Sequence, residues 1–277
     1  MPTNKQRRQA AQRRLQRQLE RRAEQVKKRR RNLLVGVSVI TVLVVGGIAW
    51  LITGISGSDD STAAAAGSST SAAPSTPAAN ERAGQTTTAG PCTYTYGAQA
   101  SAGKAVDAPS GDIPVTGTVG LTMTSSAGPI GLTLVRDTAP CAVASFESLA
   151  RQGWFDGTPC HRETDSEGLK VLQCGDPTGT GTGGPGYTYP TQVAGTETYP
   201  RGTLAMANSG QGTDESQFFL VYGDSQLPPD YTVIGTIDEA GLGVLDGIAA
   251  AGNDGSNGPG DGAPNTPVTI ESMAVLS

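Results

Sequence analysis

The segment from Cys160 to Asp176, CHRETDSEGLKVLQCGD, contains the single histidine of the 277-residue chain and two of its four cysteines. The spacing of these residues fits no usual zinc motif, and the sequence has no G-x-S-x-G, H-E-x-x-H or glycine-rich phosphate loop. A Ser-His-Asp hydrolase would need His161 as its base, and nothing nearby in the sequence supports that role. We therefore expect an activity without a proton shuttle, and neither a metal nor another cofactor.

Apolar residues alternate with other residues upstream of this segment, and apolar runs recur downstream of it. The alternating positions are Val119, Leu121 and Met123, then Ile130, Leu132 and Leu134. The runs occupy 218–222, 231–237 and 268–276. A period of two predicts strands, so the sequence predicts several of them.

Two helices are expected between these strands. Thr138 as N-cap with Pro140 in the first turn predicts a helix over 139–152. A second helix, over about 239–250, is weaker because it contains three glycines. Many strands with only two helices indicate a mainly β fold, either a closed barrel or a sandwich.

Several blocks, in the same order along the chain, resemble those of the cyclophilin family. They are Cys160 to Arg162, Val171 to Asp176 with the Gly-Thr-Gly-Gly run at 181–184, Leu204 to Gly210, Ser216 to Leu220, Val233 to Gly235 and the closing Val268 to Glu271. The resemblance covers about residues 112–277. It implies an eight-stranded antiparallel barrel with two capping helices, a peptide groove on its outer face, and peptidyl-prolyl cis-trans isomerase activity.

The resemblance also implies three catalytic residues. Resonance gives the X-Pro amide a rotation barrier of about 18–20 kcal/mol, and twisting returns a lone pair to the prolyl nitrogen. A guanidinium aimed at that nitrogen favours the twisted state, and Arg162 resembles this donor. Gln173 resembles the glutamine that holds the substrate and orients the arginine, and Asn208 the residue whose backbone pairs with the substrate.

An apolar pocket for the proline ring is implied as well. The expected substrate-binding residues are His161, Val171, Ala207, Gln217, Phe219, Leu227 and Tyr231. A structural hydrogen-bonding role for His161, and ordinary core packing for Val171 and Leu227, are the alternatives. Lys170 stands where an aromatic often forms part of the pocket, which predicts a thinner wall. Gln226 stands where many members carry a tryptophan associated with cyclosporin binding, so we expect weak cyclosporin affinity.

The N-terminal region differs sharply from the rest. Residues 1–31 hold 13 of the 20 Lys and Arg residues. Residues 33–55 carry no charge. This stretch is long enough for a helix to cross a bilayer core of about 30 Å. A cleaved signal peptide fits less well because both the basic and the apolar parts are too long. Basic residues before the span and Asp59 and Asp60 after it place the C-terminal part outside the cell.

The predicted organisation therefore has four parts. These are a basic cytoplasmic arm (1–31), a transmembrane helix (32–55), a disordered linker rich in Ser, Thr, Ala and Pro (56–90) and an extracytoplasmic domain (91–277). The expected location is the cell membrane, with a single span. Residues 32–277 hold 7 basic and 23 acidic residues, a net charge of -16, which excludes nucleic acid as a partner of the domain.

All four cysteines lie in the predicted extracytoplasmic part, so two disulfides are possible, with buried free thiols as the alternative. If the resemblance holds, the segments around His161 and Gln173 are neighbouring antiparallel strands. Cys160 and Cys174 then lie one step outward from that pair and face each other. This implies a Cys160–Cys174 disulfide, with Cys92 and Cys141 as the candidate second pair.

The function that follows is isomerisation of X-Pro bonds in exported proteins, where slow interconversion can limit folding. The partners are proline-containing polypeptides. The alternative is a catalytically weak module or scaffold at the cell surface that binds proline peptides, which Lys170 favours. The change Arg162→Ala separates the two.

Overall fold

The computed structural model describes residues 82–97, 104, 106–208 and 212–276. All of them lie in one compact unit, Ala72–Ser277. The predicted arm, the predicted transmembrane helix and most of the predicted linker fall outside the described residues. Within the described residues, no helix has both the length and the apolar character that crossing a membrane requires.

The described chain forms a mainly β fold with two helices, as the sequence predicts. The strands are β1 (Thr86–Ala89), β2 (Cys92–Tyr96), β3 (Thr118–Ser125), β4 (Gly128–Val135), β5 (Thr158–Cys160), β6 (Arg162–Ser166), β7 (Leu169–Cys174), β8 (Tyr187–Pro190), β9 (Thr203–Asn208), β10 (Thr213–Gly223), β11 (Val233–Ile237), β12 (Asp261–Gly262) and β13 (Val268–Val275). The helices are α1 (Pro140–Arg151) and α2 (Glu239–Ala251).

The strands form one antiparallel sheet, and its main path runs β1-β2-β8-β10-β9-β11-β4-β3-β13-β5. β7 pairs with β10 and with β6, and β6 pairs with β12. Among the described residues the ladder does not close into the expected eight-stranded barrel. In the part of the chain that the structure describes, the sheet has thirteen strands instead.

The break in the ladder lies at His161. The chain before it, β5, pairs with β13, whereas the chain after it, β6, pairs with β7. A hydrogen bond from the His161 backbone N–H to the Gln173 carbonyl oxygen (3.0 Å) and the Cys160–Cys174 disulfide join the two sides. A covalent bond and a single hydrogen bond therefore replace a continuous ladder at this point.

The hairpin β1–β2 extends the folded unit beyond its predicted start at residue 91. β1 lies in the range predicted as a disordered linker, but its four residues pair with Cys92 to Thr95 of β2. β2 in turn pairs with β8. Tyr94 contacts Tyr187 and Tyr189 edge to face, and its hydroxyl donates to the Cys141 carbonyl (2.9 Å). The predicted Cys92–Cys141 disulfide is present and ties the hairpin to α1.

The first turn of α1 is capped from a distance. Thr138, the predicted N-cap, instead donates its hydroxyl to the Val135 carbonyl at 3.1 Å. The side-chain oxygen of Gln192 accepts the backbone N–H groups of Cys141 and Ala142 at 2.9 and 3.0 Å. The prediction of Thr138 was wrong because the residue that satisfies these donors lies about fifty positions away in sequence.

Helix α2 is capped locally. The Asp238 carboxylate accepts the Gly241 N–H at 2.7 Å, and the helix ends at Gly252, whose φ of 70° favours glycine.

The interior of the sheet packs against α1 through aromatic side chains. Phe146 of α1 lies 4.9 Å from Phe155 and 5.1 Å from Phe218 of β10, measured between ring centroids. All three rings, and Trp154 beside them, are fully buried. This core fixes the inner face of β10, and thereby leaves alternate residues of the same strand facing outward.

Candidate active site

A second, smaller apolar cluster lies on the outer face of β7, β9 and β10. Its buried members are Val171, Tyr199, Ala205, Phe219 and Val221. Leu169, Ala207, Leu227, Tyr231 and Val233 pack against it and remain partly exposed. Because side chains alternate along a strand, this cluster and the inner core share the same three strands. Such an apolar outer face is typical of a binding surface.

This cluster forms the floor of a cavity of about 260 Å³. The cavity is lined by Arg162, Leu169, Val171, Gln173, Ala207, Asn208, Phe219, Leu227 and Tyr231. A cavity of about 430 Å³ lies between segment 107–114 and α1, but it contains no residue of the predicted site. The smaller cavity is the candidate site because apolar walls there meet a few convergent polar groups.

The aromatic wall of the cavity is held in place by hydrogen bonds. The Phe219 and Tyr231 rings meet edge to face with centroids 5.5 Å apart. The Tyr199 hydroxyl donates to the Tyr231 carbonyl and accepts the Tyr231 N–H, both at 3.0 Å. The Asn208 side-chain amide donates to the Asp230 carbonyl at 2.7 Å. The loop that carries Tyr231 is therefore fixed to the sheet from two sides.

Arg162 lies at the polar side of the cavity, half-buried. Its Nε and Nη2 donate to the two carboxylate oxygens of Asp261 at 2.8 and 2.7 Å. Its Nη1 donates to the Gln173 side-chain oxygen at 3.2 Å. The hydrogen bonds to Asp261 raise the pKa of the guanidinium, despite the opposing effect of burial, so Arg162 remains charged.

Gln173 is itself held from behind. Its Nε2 donates to the side-chain oxygen of Gln217 at 3.0 Å. The Gln217 amide nitrogen donates in turn to the carbonyls of Gly181 and Gly183, both at 3.2 Å. Gln217 was expected to bind substrate, but it does not line the cavity. In this structure it fixes Gln173, which does line it.

The loop that holds Gln217 is organised by the buried carboxylate of Asp176. Asp176 accepts the backbone N–H groups of Thr178, Thr180 and Thr182 at 2.7, 3.1 and 3.1 Å. Burial opposes ionisation of this group, but hydrogen bonds from the loop outweigh it and lower the pKa of Asp176. A continuous hydrogen-bonded chain thus runs from Asp176 to the guanidinium of Arg162.

His161, which was predicted to contact substrate, does not line the cavity. The reason is alternation: Arg162 is the residue of β6 that pairs with Gln173, whereas the sequence predicted that His161 would do so. Among the described residues, both ring nitrogens of His161 are buried without a hydrogen-bond partner. Burial lowers the pKa of the imidazole, and the Asp176 charge opposes this, so His161 favours the neutral form.

Lys170, which was expected to thin the pocket wall, is exposed and lies outside the lining. Leu169, which the sequence analysis missed, lines the cavity in its place. The signal was available, because Leu169, Val171 and Gln173 share one face of β7 at a period of two.

Asp261, 99 residues from Arg162, was also missed, and no local pattern marks it. Gln226 is exposed and outside the lining.

Residues 119–275 match the family described as "Cyclophilin type peptidyl-prolyl cis-trans isomerase/CLD". A protein of Mycobacterium tuberculosis named "Probable peptidyl-prolyl cis-trans isomerase B" is 55% identical over 167 residues, covering 56% of this chain and 54% of the relative. A protein of Mycobacterium leprae with the same name is 50% identical over 195 residues, covering 66% of this chain and 65% of the relative. The alignments thus span between half and two thirds of these relatives.

A crystal structure of a cyclophilin type peptidyl-prolyl cis-trans isomerase from Cryptosporidium parvum matches with a TM-score of 0.50 and 27% identity. The match covers 58% of this chain and 99% of that chain. The family match includes every residue that lines the cavity, from Arg162 to Tyr231, and more than half of the chain. The chain therefore belongs to the cyclophilin-type family.

Proposed function

We propose that this chain is a peptidyl-prolyl cis-trans isomerase that acts on X-Pro bonds of exported polypeptides. The observation that carries the proposal is the cavity itself, in which a fixed guanidinium stands beside an apolar pocket. The apolar wall formed by Val171, Phe219 and Leu227 suits a proline ring, which has no backbone N–H to satisfy. The related mycobacterial proteins carry the isomerase name.

The chemistry requires only positioning and charge. The planar amide is stabilised by resonance, and the barrier of about 18–20 kcal/mol reflects its loss on twisting. With the ring held in the pocket, the Arg162 guanidinium stabilises the lone pair that appears on the prolyl nitrogen of the twisted state. Gln173 orients the guanidinium by accepting a hydrogen bond from its Nη1. No bond to the protein forms, so the mechanism needs no nucleophile or base.

The alternative of a catalytically weak binding module rested on Lys170. Because Leu169 lines the cavity and Lys170 lies outside it, that argument has no support in the geometry. The hydrogen bonds that orient Arg162 favour turnover.

The proposal is tested by exchange NMR on an X-Pro peptide with the purified full chain. We expect the wild type to accelerate cis-trans exchange. The change Arg162→Ala should lower kcat/KM by at least about a hundredfold, which is about 2.7 kcal/mol of transition-state stabilisation. The matched control is Arg201→Ala, since Arg201 also forms a paired salt bridge, with Asp246, but outside the cavity. An inactive folded wild type, or full activity in Arg162→Ala, would contradict the proposal.

We also propose that the chain is anchored in the cell membrane by residues 32–55, with the isomerase domain outside. The uncharged stretch at 33–55 and the basic residues before it support this orientation. Two disulfides in the folded unit are consistent with an oxidising compartment. Protease added to intact, wall-stripped cells should release the domain. Release only after the membrane is permeabilised would contradict the orientation.

Weak cyclosporin binding is proposed on the same surface. Gln226 presents no aromatic face, and its backbone N–H donates a hydrogen bond to the Gly168 carbonyl at 2.7 Å. The change Gln226→Trp should tighten cyclosporin binding in a titration, while X-Pro turnover changes little. Equal affinity of the two proteins would count against a role for this position.

A further inference from the structure

The carboxylate of Asp261 makes more hydrogen bonds to Arg162 than any other described group. It accepts from Nε and Nη2, and Gln173 accepts from Nη1. Three of the five N–H donors of the guanidinium are therefore fixed in one plane. The bidentate pair of hydrogen bonds to Asp261 sets both the position and the orientation of the guanidinium.

Asp261 is itself held by the backbone around it, independently of Arg162. It belongs to the two-residue strand β12, in which Asp261 pairs with Thr164 of β6. Its N–H donates to the Gly258 carbonyl and its carbonyl accepts the Asn257 N–H, both at 3.0 Å. The Asn257 side chain also donates to the carboxylate at 3.2 Å. The carboxylate is thus held by contacts other than those with Arg162.

From this geometry we propose that Asp261 is a positioning residue for the isomerase reaction, acting through Arg162. The inference rests on the proposed function. A free arginine side chain samples many rotamers, and the two hydrogen bonds to Asp261 remove much of that freedom before substrate binds.

Two effects of the carboxylate oppose each other, and this makes the proposal testable. As a clamp, Asp261 raises the rate by fixing the guanidinium. As a negative charge, it reduces the positive potential that Arg162 offers to the prolyl nitrogen. If fixing dominates, removing the carboxylate lowers kcat. If the charge dominates, removing it raises kcat.

The experiment compares Asp261→Ala and Asp261→Asn with the wild-type full chain, using exchange NMR on an X-Pro peptide. We expect Asp261→Ala to lower kcat by about tenfold, with KM within about twofold because the apolar pocket is untouched. Asp261→Asn keeps one acceptor oxygen for Arg162 and should retain about a third of the activity. This partial rescue separates positioning from charge, since both variants remove the charge.

The matched control is Asp246→Ala, which breaks the paired salt bridge to Arg201 (2.7 and 2.8 Å) away from the cavity. It should leave kcat and KM unchanged. In the wild type, the Nε–H NMR signal of Arg162 should exchange slowly with water, and in Asp261→Ala it should exchange fast.

Unchanged or raised kcat in both Asp261 variants, with an active wild type, would overturn this inference alone. A folded but inactive wild type would overturn the proposed function together with it. If Asp261→Ala does not fold, the activity and Nε–H signal of Asp261→Asn decide the question.

Discussion

Phe218 and Phe219 are consecutive residues of β10, yet they belong to different parts of the molecule. Phe218 faces inward, fully buried against Phe146 and Phe155. Phe219 faces outward, against Tyr231, and lines the candidate site. The inner face of the sheet is filled by its own side chains, whereas the outer face is apolar but left open. The difference suggests that one strand serves stability on one side and binding on the other.

The sharpest test of this comparison is a pair of alanine substitutions. Phe218→Ala should lower the free energy of unfolding by about 3–5 kcal/mol, because it removes a core ring and leaves an enclosed cavity. Phe219→Ala should cost at least about 1 kcal/mol less, because the space it leaves opens to solvent. Denaturant unfolding measures both values. Equal losses would remove the distinction between the two faces.

The same pair separates binding from stability. Phe219→Ala should raise KM for an X-Pro peptide strongly, since it deletes a wall of the pocket. At a temperature where it is folded, Phe218→Ala should keep a KM close to that of the wild type. A larger KM change in Phe218→Ala than in Phe219→Ala would contradict the assignment of the outer face.

The two disulfides extend the comparison from side chains to covalent links. Replacing both Cys92 and Cys141 by alanine frees a loop of 49 residues and should cost about 4 kcal/mol of stability. The same change at Cys160 and Cys174, 14 residues apart, should cost about 3 kcal/mol.

Only the second pair should reduce kcat. It joins β5 to β7 beside Arg162 and Gln173, whereas the first pair holds the β1–β2 hairpin to α1. Thermal unfolding and X-Pro exchange on the same oxidised samples measure both effects. A loss of kcat in the Cys92 and Cys141 variant as large as in the other would show that the effect is not local.

The smallest expected effect concerns Glu163, which follows Arg162 on β6 but lies inside, fully buried. Its Oε2 has no hydrogen-bond partner among the described residues. Burial, and then the Asp165 charge, raise the pKa of this carboxyl, although the Tyr222 hydroxyl opposes the shift.

A folded-state pKa above the unfolded value means that the native protein binds the proton more tightly. The stability from Glu163 is therefore fully present below the unfolded pKa and is lost as the pH rises through the folded pKa. Glu163→Gln should unfold with a free energy about 1 kcal/mol higher than the wild type near neutral pH. Its advantage should shrink toward acid pH. Denaturant midpoints that show the same difference at all pH values would contradict the assignment.

The sequence predicted the parts of the fold that depend on local periodicity. Strands β3 and β4 follow the alternation seen at residues 119–134, and both helices lie close to their predicted ranges. Strands β2 and β8 also alternate, with threonine between buried residues, but this signal was missed, and their pairing joins segments that are distant in the sequence. The prediction of a closed barrel was wrong, because the hydrogen-bonded ladder is interrupted at His161.

The sequence predicted most of the residues that line the candidate site, but not how all of them are arranged. Most of the named residues line one cavity, including Arg162, Gln173 and Phe219. His161 lies outside it because a shift of one residue along a strand turns a side chain to the other face. Gln217 lies outside it because it contacts Gln173, which lines the cavity, through a hydrogen bond. Asp261 could not be found from the sequence, because its contact with Arg162 spans 99 residues.

The central claim, that prolyl peptides bind on the outer face of β7, β9 and β10, is tested most directly by methyl NMR. An X-Pro peptide is titrated into the labelled full chain, and the shifts of outer methyl groups (Val171, Ala207 and Leu227) are compared with those of inner ones (Leu172, Leu204 and Leu220). We predict saturable shifts of the outer set and little change in the inner set. Shifts confined to the inner set, or centred on the cavity beside Ile113 and Ala144, would contradict the account.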